Sequence, residues 1–174
     1  VNLGPDTIHI CDGSSTILDA NNTGSDFIWN TSEATQQITV NTPGKYSVMV
    51  TDQKACFTID SIFVIQDSLP VIDSITVFDT YQCMSETFQF ENASHINNTD
   101  SISGFLWEFG DGNTSSDSVT THNYVSAGDY TVQFTAYSTD GCSSTETKTV
   151  HVLPLPNVSY SYNDVCLNDT VYFN

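Results

Sequence analysis

The stretch that decides the fold is Phe105-Leu106-Trp107-Glu108-Phe109-Gly110-Asp111-Gly112. Its aromatic residues stand at alternate positions and share one face of an extended chain, which is the pattern of a half-buried strand. The run then ends in two glycines around an aspartate. That ending predicts a tight turn, because glycine adopts backbone angles that other residues avoid. The stretch therefore predicts a strand that buries Trp107 and Phe109 and then reverses direction.

The same two-residue alternation recurs along the chain, without a helical period. Segments rich in glycine, proline, asparagine and aspartate separate the runs at spacings typical of an antiparallel sandwich. We therefore predict an all-β protein built from tandem immunoglobulin-like β-sandwich domains, with both tryptophans buried. The other alternating runs are Ile38/Val40, Tyr46/Val48/Val50, Phe57/Ile59, Phe88/Phe90, Tyr130/Val132/Phe134 and Val150/Val152.

An internal repeat predicts how the chain is divided. The segment that begins at Gly44 matches the segment that begins at Gly128, which is 84 positions later. Two proline-bearing segments, 67–70 and 153–156, favour extended and semi-rigid linkers. We therefore predict one domain over residues 1–66, a second over 67–153 and the start of a third, truncated domain over 154–174.

The cysteines follow the same repeat. Cys11, Cys83 and Cys166 each lie five residues before a strand-like run, while Cys56 and Cys142 each follow one of the matching glycine-initiated segments. We expect each complete domain to hold one disulfide, Cys11 with Cys56 and Cys83 with Cys142, and Cys166 to have its partner outside the chain. Closing loops of this length contributes about 4 kcal/mol each in the chain-entropy model. Zinc is disfavoured because no pair has C-x2-C spacing.

Residues 70–153 resemble a PKD (polycystic kidney disease) domain. The resemblance rests on the 105–112 run together with Asn92-Ala93-Ser94, His122-Asn123-Tyr124 and Gly128-Asp129-Tyr130-Thr131-Val132. It implies a β-sandwich in which the motif residues have structural roles. Those residues are Trp107, Phe109, Gly110, Asp111, Gly112, His122, Tyr124, Gly128 and Tyr130.

Residues 1–66 share this outline without the Gly-Asp-Gly turn. They are similar to the immunoglobulin-like repeats, related to PKD domains, of giant cell-surface proteins of Bacteroidota. Proteins of this kind reach the surface by type IX secretion, and some are adhesins of gliding motility. The resemblance thus implies an extracellular place on a bacterial cell surface, reached through the outer membrane.

Composition excludes several classes of partner. The 174 residues carry 3 basic and 21 acidic side chains, a formal net charge of -18. Such a surface repels phosphate backbones and anionic lipids, so we expect no nucleic-acid partner. No stretch approaches the roughly 20 apolar residues that span a bilayer, and we expect no direct membrane insertion. The first residues lack the form of a signal peptide, which predicts an excerpt of a longer protein.

The sequence predicts no catalytic site and no cofactor. Its histidines are scattered, and no nucleophile, base and orienting group fall into one recognisable pattern. Calcium would be the metal attracted by this acidic surface, and Asp111, Asp117 and Asp129 are the positions to inspect first. The alternative is diffuse screening by cations, because no D-x-[DN]-x-[DN]-G loop is present.

Modification motifs are abundant. A triplet of aspartate, serine or threonine, and an aliphatic residue or threonine resembles the O-glycosylation acceptor of Bacteroidota, and it occurs more often than composition predicts. The candidate acceptors are Thr7, Ser61, Ser68, Ser74, Ser101, Ser118 and Thr170. The eukaryotic N-x-[ST] sequon is enriched less strongly. Its positions are Asn21, Asn30, Asn92, Asn97, Asn113, Asn157 and Asn168.

These observations favour a structural stalk of a large bacterial surface adhesin that supports attachment or gliding motility. Its expected partners are neighbouring repeats of the same chain and, at a distal tip, a surface polysaccharide or glycan. Two alternatives remain open. One is an accessory, non-catalytic region of a secreted polysaccharide hydrolase or protease, and the other is a eukaryotic adhesion ectodomain.

Overall fold

A computed structural model describes residues 1–97 and 100–159. Those residues form strands and loops, and the all-β class with sandwich architecture is confirmed. Across this part of the chain no helix is long and apolar enough to cross a membrane. The strands are β1 (Thr7–Cys11), β2 (Thr16–Asp19), β3 (Asp26–Trp29), β4 (Gln37–Val40), β5 (Gly44–Thr51), β6 (Phe57–Asp67), β7 (Val71–Phe78), β8 (Tyr81–Cys83), β9 (Thr87–His95), β10 (Ile102–Glu108), β11 (Thr114–Ser115), β12 (Val119–Asn123), β13 (Gly128–Ser138) and β14 (Ser143–Leu153).

Strands β1 to β6 form the first sandwich. One sheet has the order β1-β6-β5-β3 and the other pairs β2 with β4. β1 lies parallel to the end of β6, and the other pairs are antiparallel. The strands alternate between outward and buried side chains, so the buried set forms one core around Trp29, Val48 and Ile62. Trp29 is 1% exposed, as its alternating position predicts.

Strands β7 to β14 form the second sandwich. Its sheets have the orders β11-β10-β13-β14-β8 and β12-β9-β7. The core is aromatic: Trp107 contacts Phe134 with ring centroids 4.4 Å apart, and Phe90 contacts Phe109 at 5.2 Å. Such pairs add about 1 kcal/mol each beyond the area that they bury. The predicted burial of Trp107 is confirmed, with no exposed surface.

The two sandwiches repeat one arrangement with an exchange of core aromatics. Trp29 pairs with Val48 in the first sandwich. In the second, Trp107 pairs with Phe134, which lies two residues after Val132, the equivalent of Val48 in the 84-residue repeat. The equivalent of Trp29 is therefore Phe109, two residues after Trp107. Each sandwich thus places one tryptophan and one phenylalanine on the inward face here. The tryptophan follows the phenylalanine in the first sandwich and precedes it in the second.

The predicted disulfides are wrong. The structure joins Cys11 to Cys142, and Cys56 and Cys83 are free thiols. Cys11 pairs with the last residue of β6, whereas Cys56 directly precedes its first residue. β6 has 11 residues, which span about 35 Å, whereas the Cα atoms of a disulfide lie only about 4 to 7 Å apart.

The second predicted pair fails for the same reason. Cys83 pairs with Leu153 at the end of β14, and Cys142 directly precedes the start of β14. The repeat correctly predicted which cysteines are equivalent between the sandwiches, but the two cysteines within one sandwich lie at its opposite ends. Of the expected third domain, 154–174, only residues 154–159 are described, and Cys166 and Thr170 lie outside the described residues.

Candidate functional site

The disulfide joins the two sandwiches. Cys11 ends β1 of the first, and Cys142 follows the turn between β13 and β14 of the second. Their Cα atoms are 5.6 Å apart, although 131 positions separate them in the sequence. Closing a loop of this length contributes about 5 kcal/mol in the chain-entropy model. We use the word joint for the region made up of Cys11, Cys142, the linker 68–70 and the polar side chains of His9, Asp67 and Asp140.

A histidine and an aspartate brace the joint beside the disulfide. Nδ1 of His9 donates to both carboxylate oxygens of Asp67, at 3.0 and 3.1 Å. Asp67 is only 6% exposed, and its backbone carbonyl also accepts from the amide of Asp12. The hydrogen bond and charge of Asp67 raise the pKa of His9 above its usual 6.5, against the opposing effect of burial.

Acidic residues of the second sandwich face this histidine. Asp140 lies two residues before Cys142, and its charge together with that of Asp100 also raises the pKa of His9. Burial, followed by the hydrogen bond and charge of Asp100, raises the pKa of Asp140 above its usual 3.8. The joint therefore concentrates negative charge around one imidazole.

A cleft of about 620 Å³ opens at the joint, and its walls come from both sandwiches and from the linker. Pro70 is buried and Leu69 is half-buried. The linker is therefore covered where it passes between the two sandwiches. Residues lining the cleft are Asp12, Gln66, Asp67, Ser68, Leu69, Pro70, Val71, Asn97 and Ser144.

The Gly-Asp-Gly turn is fixed by steric and polar contacts. Gly110 has a φ of 83°, and a Cβ added to it would lie 2.7 Å from the carbonyl oxygen of Thr131. Only glycine fits there. Oδ2 of Asp111 lies 2.8 Å from Nε2 of His122, and Oδ1 accepts from the amide of Asn113 at 3.0 Å. Burial opposes ionisation of Asp111, but these hydrogen bonds and the His122 imidazole hold its pKa below 3.8.

Aromatic contacts lock this turn onto the core. The imidazole of His122 stacks on Phe109, with ring centroids 4.2 Å apart and planes within 8°. The hydroxyl of Tyr124 donates to the carbonyl of Phe109 at 2.8 Å, and its ring stacks on Tyr130. Burial raises the pKa of Tyr124. The indole Nε1 of Trp107 donates to the carbonyl of Asp117.

These contacts give the predicted motif a structural role. Residues 67–152 match the family model described as the PKD domain. This part of the chain is a PKD domain. Trp107, Phe109, Asp111, His122 and Tyr124 contact one another directly or through a shared neighbour.

The curated relatives match through this PKD domain. A microbial collagenase of Vibrio alginolyticus is 39% identical over 71 residues, which is 41% of this chain and 8% of the collagenase. Collagenase ColA of Bacillus cereus is 35% identical over 81 residues, 47% of this chain and 8% of that enzyme. The chain thus spans less than a tenth of the length of these relatives.

Solved structures of PKD domains are also similar. The PKD1 domain of the Vibrio cholerae metalloprotease PrtV is 28% identical with a TM-score of 0.41, covering 48% of this chain and 96% of that domain. The PKD1 domain of Vibrio anguillarum Epp is 27% identical with a TM-score of 0.42, covering 51% and 96%.

The aspartates singled out for calcium have separate partners. Asp111 bonds His122 and Asn113, whereas Oδ1 of Asp129 lies 2.7 Å from Nδ1 of His151. Asp117 accepts from Ser115. Over residues 1–97 and 100–159, no group of three or more His, Cys, Asp or Glu side chains is arranged to hold a metal ion.

The candidate O-glycosylation residues fall into two groups. Ser74, Ser101 and Ser118 are exposed, whereas Thr7, Ser61 and Ser68 are half-buried, and Thr170 lies outside the described residues. Thr7 and Ser61 occupy the outward face of the first sandwich. That face also exposes large apolar side chains, among them Ile28, Ile59, Phe63 and Ile65.

Sequence reasoning missed the joint. No spacing rule connects Cys11 to Cys142, and a lone histidine on an outward strand position gave no reason to expect Asp67 as its partner. Strand alternation gave no signal either, because Asp67 has the same parity as the exposed Phe63 and Ile65 of β6 and yet is buried at the joint. A buried aspartate of this kind requires hydrogen-bonding partners.

Proposed function

We propose that this chain is a non-catalytic, extracellular spacer region of a larger protein, which holds successive modules at a fixed distance and orientation. The observation that carries the proposal is the disulfide between Cys11 and Cys142. It fixes the two sandwiches to each other beside the linker. A region that served only as a flexible tether would gain nothing from a covalent bond across its linker.

The polar chemistry of the chain fits this role. Each of the four histidines has an aspartate partner, and the four pairs lie in separate places along the two sandwiches. His122 fixes the turn of the PKD domain, and His9 braces the joint. These contacts account for the imidazoles as structural groups. A disulfide of this kind also requires an oxidising, extracytoplasmic environment.

For the larger protein we propose a secreted protease with this chain as an accessory region. The support is the sequence similarity of the PKD domain to stretches of bacterial collagenases. In this setting the spacer separates a catalytic domain from modules that bind the substrate.

A surface adhesin is the second candidate, because the two sandwiches repeat one strand arrangement and the same cysteine positions. Such a repeat suits a stalk that projects a ligand-binding tip for attachment or gliding, exported through the outer membrane by type IX secretion. Sequencing the complete gene separates the candidates. A peptidase domain supports the protease, and further repeats with a C-terminal secretion domain support the adhesin.

Small-angle X-ray scattering tests the spacer role directly. Two sandwiches joined end to end, each about 35 Å long, give a maximum dimension of about 70 Å. The expected radius of gyration is clearly above the roughly 16 Å of a compact chain of this length. The Cys11→Ser variant should give a broader distance distribution, with Cys56→Ser as the unchanged control. A compact profile for the oxidised chain would contradict the proposal.

A further inference from the structure

The free thiol of Cys83 occupies the same structural position as the bonded Cys11. Cys11 pairs with Asp67 at the end of β6, and Cys83 pairs with Leu153 at the end of β14, both in parallel register. The amide after each cysteine donates to the carbonyl of that partner: Asp12 to Asp67, and Met84 to Leu153, both at 2.9 Å.

The free thiol of Cys56 is equivalent to the bonded Cys142 in the same way. Each cysteine closes a five-residue hairpin turn, 52–56 or 138–142. In each turn the first amide donates to the cysteine carbonyl, at 2.9 Å for Cys56 and 2.8 Å for Cys142. The cysteine amide in turn donates to the side chain of the first residue, Asp52 or Ser138. The backbone therefore presents the two thiols alike.

The surroundings of the free cysteines are those of a joint without its neighbour. Leu155 and Pro156 follow Leu153 at the same distances at which Leu69 and Pro70 follow Asp67. In the joint Leu69 is half-buried and Pro70 is buried, whereas Leu155 is 56% exposed. Beside Cys56, Phe57 is 67% exposed. Apolar side chains thus stand uncovered next to each free thiol.

We propose that Cys83 and Cys56 each form a disulfide with a neighbouring sandwich, of the same kind as the bond between Cys11 and Cys142. Cys83 bonds the hairpin-turn cysteine of a following sandwich of this type, and Cys56 bonds the strand-end cysteine of a preceding one. This inference deepens the spacer function and rests on it. It extends the single bond between Cys11 and Cys142 to a series, in which each sandwich has one disulfide to the following sandwich and one to the preceding sandwich.

The chemistry requires an oxidant. Two thiols lose two protons and two electrons as the S–S bond forms, and a protein disulfide of the oxidising compartment takes up both and leaves as a dithiol. Cys56 and Cys83 cannot bond each other within one chain. Each lies at the end of its own sandwich that is remote from the joint, about 35 Å along β6 or β14.

The first test is disulfide mapping of the protein as its own cells release it, digested without reductant after blocking of free thiols. The expected result links both cysteines to peptides from outside residues 1–174. Cys83 should be bonded to a hairpin-turn cysteine and Cys56 to a strand-end cysteine. Free thiols at both positions, or a bond from either one to Cys11 or Cys142, would overturn the inference. A bond between Cys56 of one copy and Cys83 of another, giving a reducible dimer, would overturn the intramolecular series as well.

A chimera provides a second, independent test. In this chimera, residues 1–153 are joined directly to a second copy of residues 68–153. Leu153 then precedes the second linker, as Asp67 precedes the first. Oxidative folding should bond Cys83 of the first copy to Cys142 of the second, while Cys11 stays bonded to the first Cys142. Changing the first Cys83→Ser should release one thiol at the second Cys142 and leave the Cys11 bond intact.

The two proposals fail in different ways. If Cys11 and Cys142 are bonded but Cys83 of the first copy remains a thiol, the series is wrong and the spacer stands. If Cys11 and Cys142 are themselves unbonded in the oxidised chain, the spacer proposal fails first.

Discussion

Asp67, the last residue of β6, accepts two hydrogen bonds from the imidazole of His9, at 3.0 and 3.1 Å. Because Asp67 is buried and also pairs with Cys11 in the β1–β6 register, the contact ties the first sandwich to the start of the linker. The raised pKa of His9 makes this contact dependent on pH.

We expect the contribution of His9 to stability to fall as the pH rises. A group whose pKa is higher in the folded state stabilises fully below its unfolded value, here about 6.5, and its contribution is lost as the pH passes the folded value. The free energy of unfolding of the chain minus that of His9→Gln should be largest near pH 5 to 6 and shrink as the pH rises through the raised pKa of the folded state. Urea titrations across this range measure it. A difference that does not change with pH would contradict the assignment, and His95→Gln at an exposed pair is the control.

Removing the charge of Asp140 should stabilise the chain at neutral pH. Its pKa is raised by burial and by Asp100, so the carboxylate form carries a cost that is present above the raised pKa and absent below about 3.8. Asp140→Asn should therefore raise the melting temperature at pH 7 and have little effect near pH 3. Glu146→Gln, an exposed carboxylate on the same sheet, controls for net charge. A lower melting temperature at pH 7 would show that the attraction between Asp140 and His9 outweighs the costs of burial and of Asp100.

Loss of the disulfide should separate the unfolding of the two sandwiches. Each has its own buried core, and the bond between Cys11 and Cys142 couples them. In Cys11→Ser, scanning calorimetry should resolve two transitions, or one broadened transition, in place of a sharp one, with a total loss of up to about 5 kcal/mol. Cys56→Ser leaves this bond in place and should melt like the unchanged chain. A sharp, unshifted transition in Cys11→Ser would mean that noncovalent contacts alone hold the joint.

Alanine at Gly110 should destabilise the PKD domain more than alanine at Gly112. Both glycines have a positive φ, but only at Gly110 does an added Cβ meet another atom, the Thr131 carbonyl oxygen at 2.7 Å. We expect Gly110→Ala to cost about 3 to 4 kcal/mol, from backbone strain plus overpacking, and Gly112→Ala about 1 to 2 kcal/mol, from strain alone. Denaturant unfolding measures both. Equal losses would show that the strand of Thr131 gives way.

Much of the fold follows from local pattern. The alternating aromatics of β10 and the glycines after it predicted the strand, its buried face and the turn, because burial and backbone freedom are set by neighbouring residues. The repeat also predicted which cysteines are equivalent. The exchange between Trp29 and Phe109 could not be predicted, since it depends on the pairing of β3 with β5 and of β10 with β13.

The joint lay beyond sequence reasoning for a similar reason. A repeat shows which residues are alike, whereas a disulfide depends on which residues meet. Cys11 and Cys56 belong to one sandwich but stand at opposite ends of β6. Cys11 and Cys142 belong to different sandwiches and meet because the β13–β14 turn reaches back to the end of β1.

The bond between Cys11 and Cys142 also decides how the chain responds when its ends are pulled. Tension entering through β1 passes across the sulfur atoms directly into β14, and the 131 positions between the two cysteines are bypassed. Those residues, about 450 Å of extended chain, cannot be drawn out even if their strands come apart. The strands β2 to β13 are thereby shielded from stretching, and until the bond is reduced only the segments outside it, with β1 and β14, can be extended under drag.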